Sequence, residues 1–193
     1  MREGQQRRTT DLLTRLVPIL VIGGLVILYA IVNWLWLSDN VISGGWDKSK
    51  HLTRSLRYYQ ALSPPTLQAL FANLVENPIR PSLFPLTATL VYPLLGFEVD
   101  SGPMINLLYV AILLSAAYGL GVKLVNRNVG LLAAVVLATY PMVFAMSRLF
   151  YMELALTAMV AITLYFLVAS DGFEHRTAAL LFGLCLGLGL LTK

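Results

Sequence analysis

Apolar residues fill positions 16–37 without one charged side chain, and a helix of this length spans the roughly 30 Å hydrocarbon core of a bilayer. The run is too long, and followed by too much apolar sequence, to be a cleaved leader. Residues 1–15 before it are polar and carry Arg2, Arg7, Arg8 and Arg15, which places the N-terminus in the cytoplasm by the positive-inside rule. Trp34 and Trp36 near its far end fit an aromatic belt at the opposite interface. A long external loop, 38–102, follows. In it Leu52, Leu56 and Tyr59 form an apolar stripe beside a basic stripe of Lys50, Arg54 and Arg57, the pattern of a helix lying in the headgroup plane. Ser63-Pro64-Pro65 ends that helix and starts a second, with Leu67, Leu70, Phe71 and Leu74 on one face and Asn77-Pro78 as its close. Residues 82–95 are apolar but short and interrupted by Pro85 and Pro93, as in a re-entrant or interfacial segment.

Asp100-Ser101-Gly102-Pro103 reads as a cap that opens a helix running to about Val122. Lys123 and Arg127 occupy a short turn, which is cytoplasmic by the same rule. Residues 129–145 return outward, 146–151 turn, 152–169 go back, and 170–176 form a second cytoplasmic loop. A last helix begins near Thr177 and carries Gly183, Gly187 and Gly189, a stripe suited to close helix contact. The expectation is an all-α polytopic membrane protein: a cytoplasmic segment 1–15, then a transmembrane part 16–193 with about five spans and an external loop holding amphipathic interfacial helices. Lys193 directly follows an apolar helix, so the chain is read as the N-terminal part of a longer protein.

Composition agrees, with 58% hydrophobic and 12% charged residues, the latter about half the soluble norm. The net charge of +4 is scattered at the ends of apolar runs, where cations act as topology signals and headgroup contacts, which argues against a nucleic-acid partner. One cysteine, Cys185, inside an apolar run excludes an internal disulfide and a thiolate metal site.

The few ionisable residues at the membrane edge are the candidates for chemistry. Asp47 is a carboxylate at the surface, one helical turn from His51, although the same residues also suit a plain interfacial anchor. Arg148 and Glu153 flank the outer turn as a base and an acid five apart; they are either a local salt link or a substrate site, with Arg148 a good phosphate ligand. Lys193 could reach the same place or simply snorkel. His51 with Asp47 or Glu153 is a candidate divalent-metal set, and a hydrogen-bond or headgroup contact otherwise. No Gly-rich phosphate loop follows a strand and no Ser-His-Asp order is present, so an enzyme of this kind would take an activated substrate from the lipid.

Several short pieces in this order resemble the GT-C superfamily of membrane glycosyltransferases, specifically glycosyltransferase family 39, which includes protein O-mannosyltransferases and bacterial lipid A sugar transferases. They are Trp46-Asp47 after the first span, Arg80-Pro81-Ser82-Leu83, Leu94-Leu95-Gly96, Tyr140-Pro141, Ser147-Arg148 with Glu153, and the stretch from Gly183 to Thr192-Lys193. The resemblance implies a polyprenyl-phosphate sugar donor, transfer on the outer face of the plasma (inner) membrane, and a catalytic acid in the first external loop, which maps onto Asp47. Many relatives follow that acid with Glu, where this chain has Lys48. On this basis Asp47 is expected to act as general base on an acceptor hydroxyl of a protein, lipid or glycan, with inversion of configuration. Arg148, Lys50 and Lys193 are expected near the leaving phosphate, and His51 and Glu153 as substrate contacts, Glu153 orienting Asp47, the acceptor or a metal. The competing expectation is a lipid-linked substrate transporter or flippase without chemistry, which often shows two similar halves; no such repeat is visible.

Overall fold

The computed structural model describes residues 2–39, 45–62, 68, 72, 82–96, 98 and 100–193, with side chains of the first helix from residue 16 onward. All its regular elements are helices. Helix α1 (Arg2–Asp39) continues without a break through the polar residues expected to precede the span; its apolar part, Leu16–Asp39, is long enough to cross a membrane. Helix α2 is Trp46–Ala61. Of the second amphipathic helix expected in the loop, only Gln68 and Ala72 are described, both helical; the rest, with Arg80-Pro81, lies outside the described residues.

The 82–95 segment forms two short helices, α3 (Leu83–Ala88) and α4 (Tyr92–Leu95), which bury Phe84, Pro85, Ala88 and Tyr92. Pro103 sits in a 3-10 turn, Gly102–Ile105, that leads into α5 (Asn106–Leu124). Asn126 then caps α6 (Arg127–Ala138), its side chain accepting from Val129 N at 3.0 Å. Pro141 lacks the N–H that would continue this helix, so the apolar stretch breaks at Thr139-Tyr140 and resumes as α7 (Pro141–Met146). Helices α8 (Met152–Ala169) and α9 (Arg176–Leu190) follow. Three helices, Leu16–Asp39, Gly102–Leu124 and Met152–Ala169, are long and apolar enough to span, and three apolar segments, Leu83–Leu95, Arg127–Ala138 and Arg176–Leu190, are shorter. The protein is an all-α integral membrane protein.

Helix α5 is the centre of the packing, touching α8, α6 and α1, and α8 in turn touches α9. The tightest crossing joins α5 to α6: a Cβ added at Gly121 would meet the backbone of Gly130, and one at Gly130 would meet the Tyr118 carbonyl. Gly119 makes room for the ring of Tyr165 on α8. The glycine stripe expected to mediate contact in the last helix does not do so among the described residues. Nothing lies within 4 Å of a Cβ at Gly183 or Gly187, and Gly189 meets Met159 only at an ordinary 3.6 Å. Close approach depends on both partners being small, and α9 has no facing glycine.

Tyr29 of α1 donates to the Ala138 carbonyl at 2.6 Å, satisfying an acceptor at the end of α6, and packs edge-on against Phe144. One turn further along α1 comes Asn33, which reaches the turn after α7.

Candidate functional site

The turn between α7 and α8, residues 147–151, gathers the ends of several elements. Asn33, 1% exposed near the far end of apolar helix α1, donates from Nδ2 to Ser147 Oγ at 3.0 Å and to the Ser147 carbonyl at 3.3 Å. Its Oδ1 accepts from Ser147 Oγ at 3.3 Å and from Arg148 Nε at 3.2 Å. From the other side Asn106, at the start of α5 and fully buried, donates to the carbonyls of Leu149 (2.7 Å) and Met146 (3.2 Å). Two buried amides therefore clamp one turn, adding side-chain donors to carbonyls that lie at or beyond the end of a helix.

The Arg148 guanidinium carbon lies 3.9 Å from the Phe144 ring centroid and 5.6 Å from that of Trp36. Burial lowers its pKa from the ordinary value, the Tyr29 phenol opposing the shift. A guanidinium still keeps its charge under such a change. The local salt link with Glu153 that sequence spacing suggested does not form. Glu153, in the first turn of α8, instead accepts from Lys193 at 3.3 Å, across the ends of α8 and α9, with both side chains about half exposed. Lys193 thus reaches the place the sequence suggested, but bound to the acid. A backbone bond from Leu83 N to the Leu191 carbonyl, 2.9 Å, brings the start of α3 to the same end.

Helix α2 completes that end. Its buried residues are His51, Ser55, Tyr58 and Ala61, one position away from the apolar stripe expected from Leu52, Leu56 and Tyr59. The polar stripe turns inward because it finds partners: Ser55 Oγ lies 2.6 Å from Tyr92 OH, and Arg54 donates to Tyr58 OH (2.8 Å) and Ser82 Oγ (3.2 Å). Arg54 therefore contacts protein, which corrects the picture of three cations aligned toward lipid; Arg57 is exposed. Gly102 permits the docking, since a Cβ there would stand 3.0 Å from Leu52 Cδ1 and 3.3 Å from both Tyr92 OH and the Phe150 ring.

At the front of α2, Lys48 Nζ lies 5.2 Å from the Tyr151 ring centroid, and a Cβ at Gly45 would be 3.5 Å from Tyr151 OH. Tyr151 sits between Arg148 and Glu153 in the chain, so the first turn of α2 is brought to the Arg148 turn. Asp47 is exposed in that first turn, four residues before buried His51. Lys50 Nζ stacks 3.6 Å over the Trp46 ring beside it. Among the described residues no three His, Cys, Asp or Glu side chains could hold a metal. Asp47, His51 and Glu153 do not fit the shared divalent site considered from sequence: His51 is buried on the inner face of α2 and Glu153 is bound to Lys193.

Sequence reasoning missed Asn33, Asn106 and Tyr151. The signal for Asn33 was available, as an amide inside a run that is otherwise apolar or aromatic. It also missed a cleft of about 280 Å³ lined by Trp34, Ser38, Glu98, Asp100 and Ser101, among others.

The family model described as dolichyl-phosphate-mannose-protein mannosyltransferase matches residues 79–193. The matched part contains Arg148, Glu153 and Lys193 and begins after Asp47, Lys50 and His51. No curated protein and no solved structure was found to match the chain. With more than half of its length matched, spanning the clamped turn and the helices that carry it, the chain belongs to the dolichyl-phosphate-mannose-protein mannosyltransferase family and is a glycosyltransferase of the mannosyltransferase type.

Proposed function

We propose that this chain forms the N-terminal portion, residues 16–193 preceded by a cytoplasmic segment, of an enzyme that moves a hexose from a polyprenyl-phosphate donor to an acceptor hydroxyl. The external loop 38–102 and the Arg148 turn face the outer side of the plasma membrane, and the family's description favours mannose as the sugar and a protein as the acceptor. The observation that supports the reading is the meeting of the α2 front with Tyr151: Lys48 and Gly45, which flank Asp47, stand at the turn that carries Arg148.

In this scheme Asp47 accepts the proton of the acceptor hydroxyl as its oxygen bonds to the anomeric carbon. The bond from that carbon to the phosphate oxygen breaks, and the lipid phosphate leaves as an anion with inversion at the sugar. Charge grows on that phosphate as it departs, so a fixed guanidinium such as Arg148 stabilises the transition state. Lys50, beside Asp47, adds positive charge. Lys193 serves in part to hold Glu153, and Glu153 orients the acceptor. His51 supports α2 from its buried face.

The test is transfer from a radiolabelled polyprenyl-phosphate mannose in membranes carrying the complete protein, wild type beside Asp47→Asn. The amide keeps the shape and removes the base, and a loss of about 10²–10⁴-fold in rate with donor binding retained is expected. Equal rates in the two proteins would place the base elsewhere. Lipid binding without transfer in the wild type would favour a transporter.

A further inference from the structure

We propose that Asn33 is a positioning residue: it fixes the guanidinium of Arg148 so that its two terminal amino groups form a bidentate clamp for the donor phosphate. The inference rests on the phosphate role given to Arg148 above and concerns a residue on a different helix.

An amide buried to 1% exposure in a membrane helix is costly unless it is bonded, and Asn33 donates to Ser147 through Nδ2 while its Oδ1 accepts from Ser147 and Arg148. The bond to Arg148 uses Nε. That choice leaves the fork of terminal amino groups, the part of a guanidinium that matches two phosphate oxygens. The Phe144 ring, its centroid 3.9 Å from the guanidinium carbon, packs against the same group. Among the described residues no carboxylate pairs with Arg148. A neutral amide is the suitable partner for this purpose. It orients the cation as a carboxylate would, but without neutralising it.

Two substitutions separate the electronic demand from the steric one. Asn33→Ala removes the acceptor. Asn33→Asp keeps size, shape and the acceptor atom, loses the Nδ2 donor to Ser147, and places a negative charge 3.2 Å from Nε. The readout is binding of radiolabelled dolichyl phosphate to the complete protein in nanodiscs, for wild type, both Asn33 variants, Arg148→Ala and the double variant Asn33→Ala/Arg148→Ala. Affinity is expected to fall about tenfold in Asn33→Ala, the scale of one lost bond to a charged group, and at least as far in Asn33→Asp. The double variant should bind as Arg148→Ala does, because Asn33 acts through the arginine.

If the two losses multiply instead, or if Asn33→Asp binds like wild type, the positioning role is overturned while the transferase reading stands. If Arg148→Ala binds like wild type, the phosphate role of Arg148 itself fails, and the inference with it.

Discussion

The exposed Glu153–Lys193 pair and the half-buried Arg148 show how differently charges act at the same bundle end. Both Glu153 and Lys193 are about half exposed, and such pairs contribute roughly 0–1 kcal/mol after solvent screening. Glu153→Gln should therefore shift the thermal midpoint little; a large fall would mean the pair is a structural tie between α8 and α9. Arg148 depends on shape as well as charge. Arg148→Lys preserves the cation but cannot reproduce the planar contact with Phe144 or the Nε bond to Asn33. Most of the affinity for dolichyl phosphate lost in Arg148→Ala should remain lost in Arg148→Lys, measured in the same nanodisc assay. Full recovery with lysine would show that charge alone suffices. From sequence, the arginine was visible because ionisable residues at a membrane edge stand out; its partner was not, because an uncharged amide was not weighted as a buried group seeking bonds.

Helix boundaries were largely legible, and helix faces were not. The apolar run 152–169 coincides with α8, whereas the run expected over 129–145 is broken at Pro141 into α6 and α7. In α2 the expected inward face was the apolar one, yet His51, Ser55 and Tyr58 are buried, because Tyr92 offers a hydrogen bond that a lipid surface would not. Glycine was misjudged for a related reason: a stripe on one helix says nothing about what faces it. The contact that matters is Gly121 against Gly130, where a side chain on either helix would collide with the other's backbone. Gly130→Val should destabilise the protein by about 1–3 kcal/mol, the usual cost of overpacking, read as a lower midpoint in detergent. Gly183→Ala and Gly187→Ala meet nothing within 4 Å and should leave the midpoint unchanged or raise it, since alanine favours the helix by up to ~1 kcal/mol. Equal damage from all three would mean that α9 packs on something through its glycines.

At the scale of the whole molecule, several of the described cations at the two ends of the bundle differ in their surroundings, and the difference bears on orientation. Lys48, Lys50 and Arg54 lie on α2, the side that opposes a cytoplasmic N-terminus if every cation is counted. They are engaged by protein groups: Lys48 with Tyr151, Lys50 with Trp46, Arg54 with Tyr58 and Ser82. Lys123, Arg127 and Arg176, at the other end of the bundle, are all exposed in or beside short connections, where the positive-inside rule has its greatest weight. The orientation proposed here therefore puts the turn after α5 and the loop before α9 in the cytoplasm and the Arg148 end outside. Single cysteines test it, in a Cys185→Ser background so that the lone native thiol does not contribute. Ser49→Cys, exposed on α2, should react with a membrane-impermeant maleimide on intact cells; Asp171→Cys, exposed in the loop before α9, should react only after permeabilisation. The reverse labelling pattern would invert the topology and place transfer on the cytoplasmic face, leaving the helix packing and the clamped turn as described.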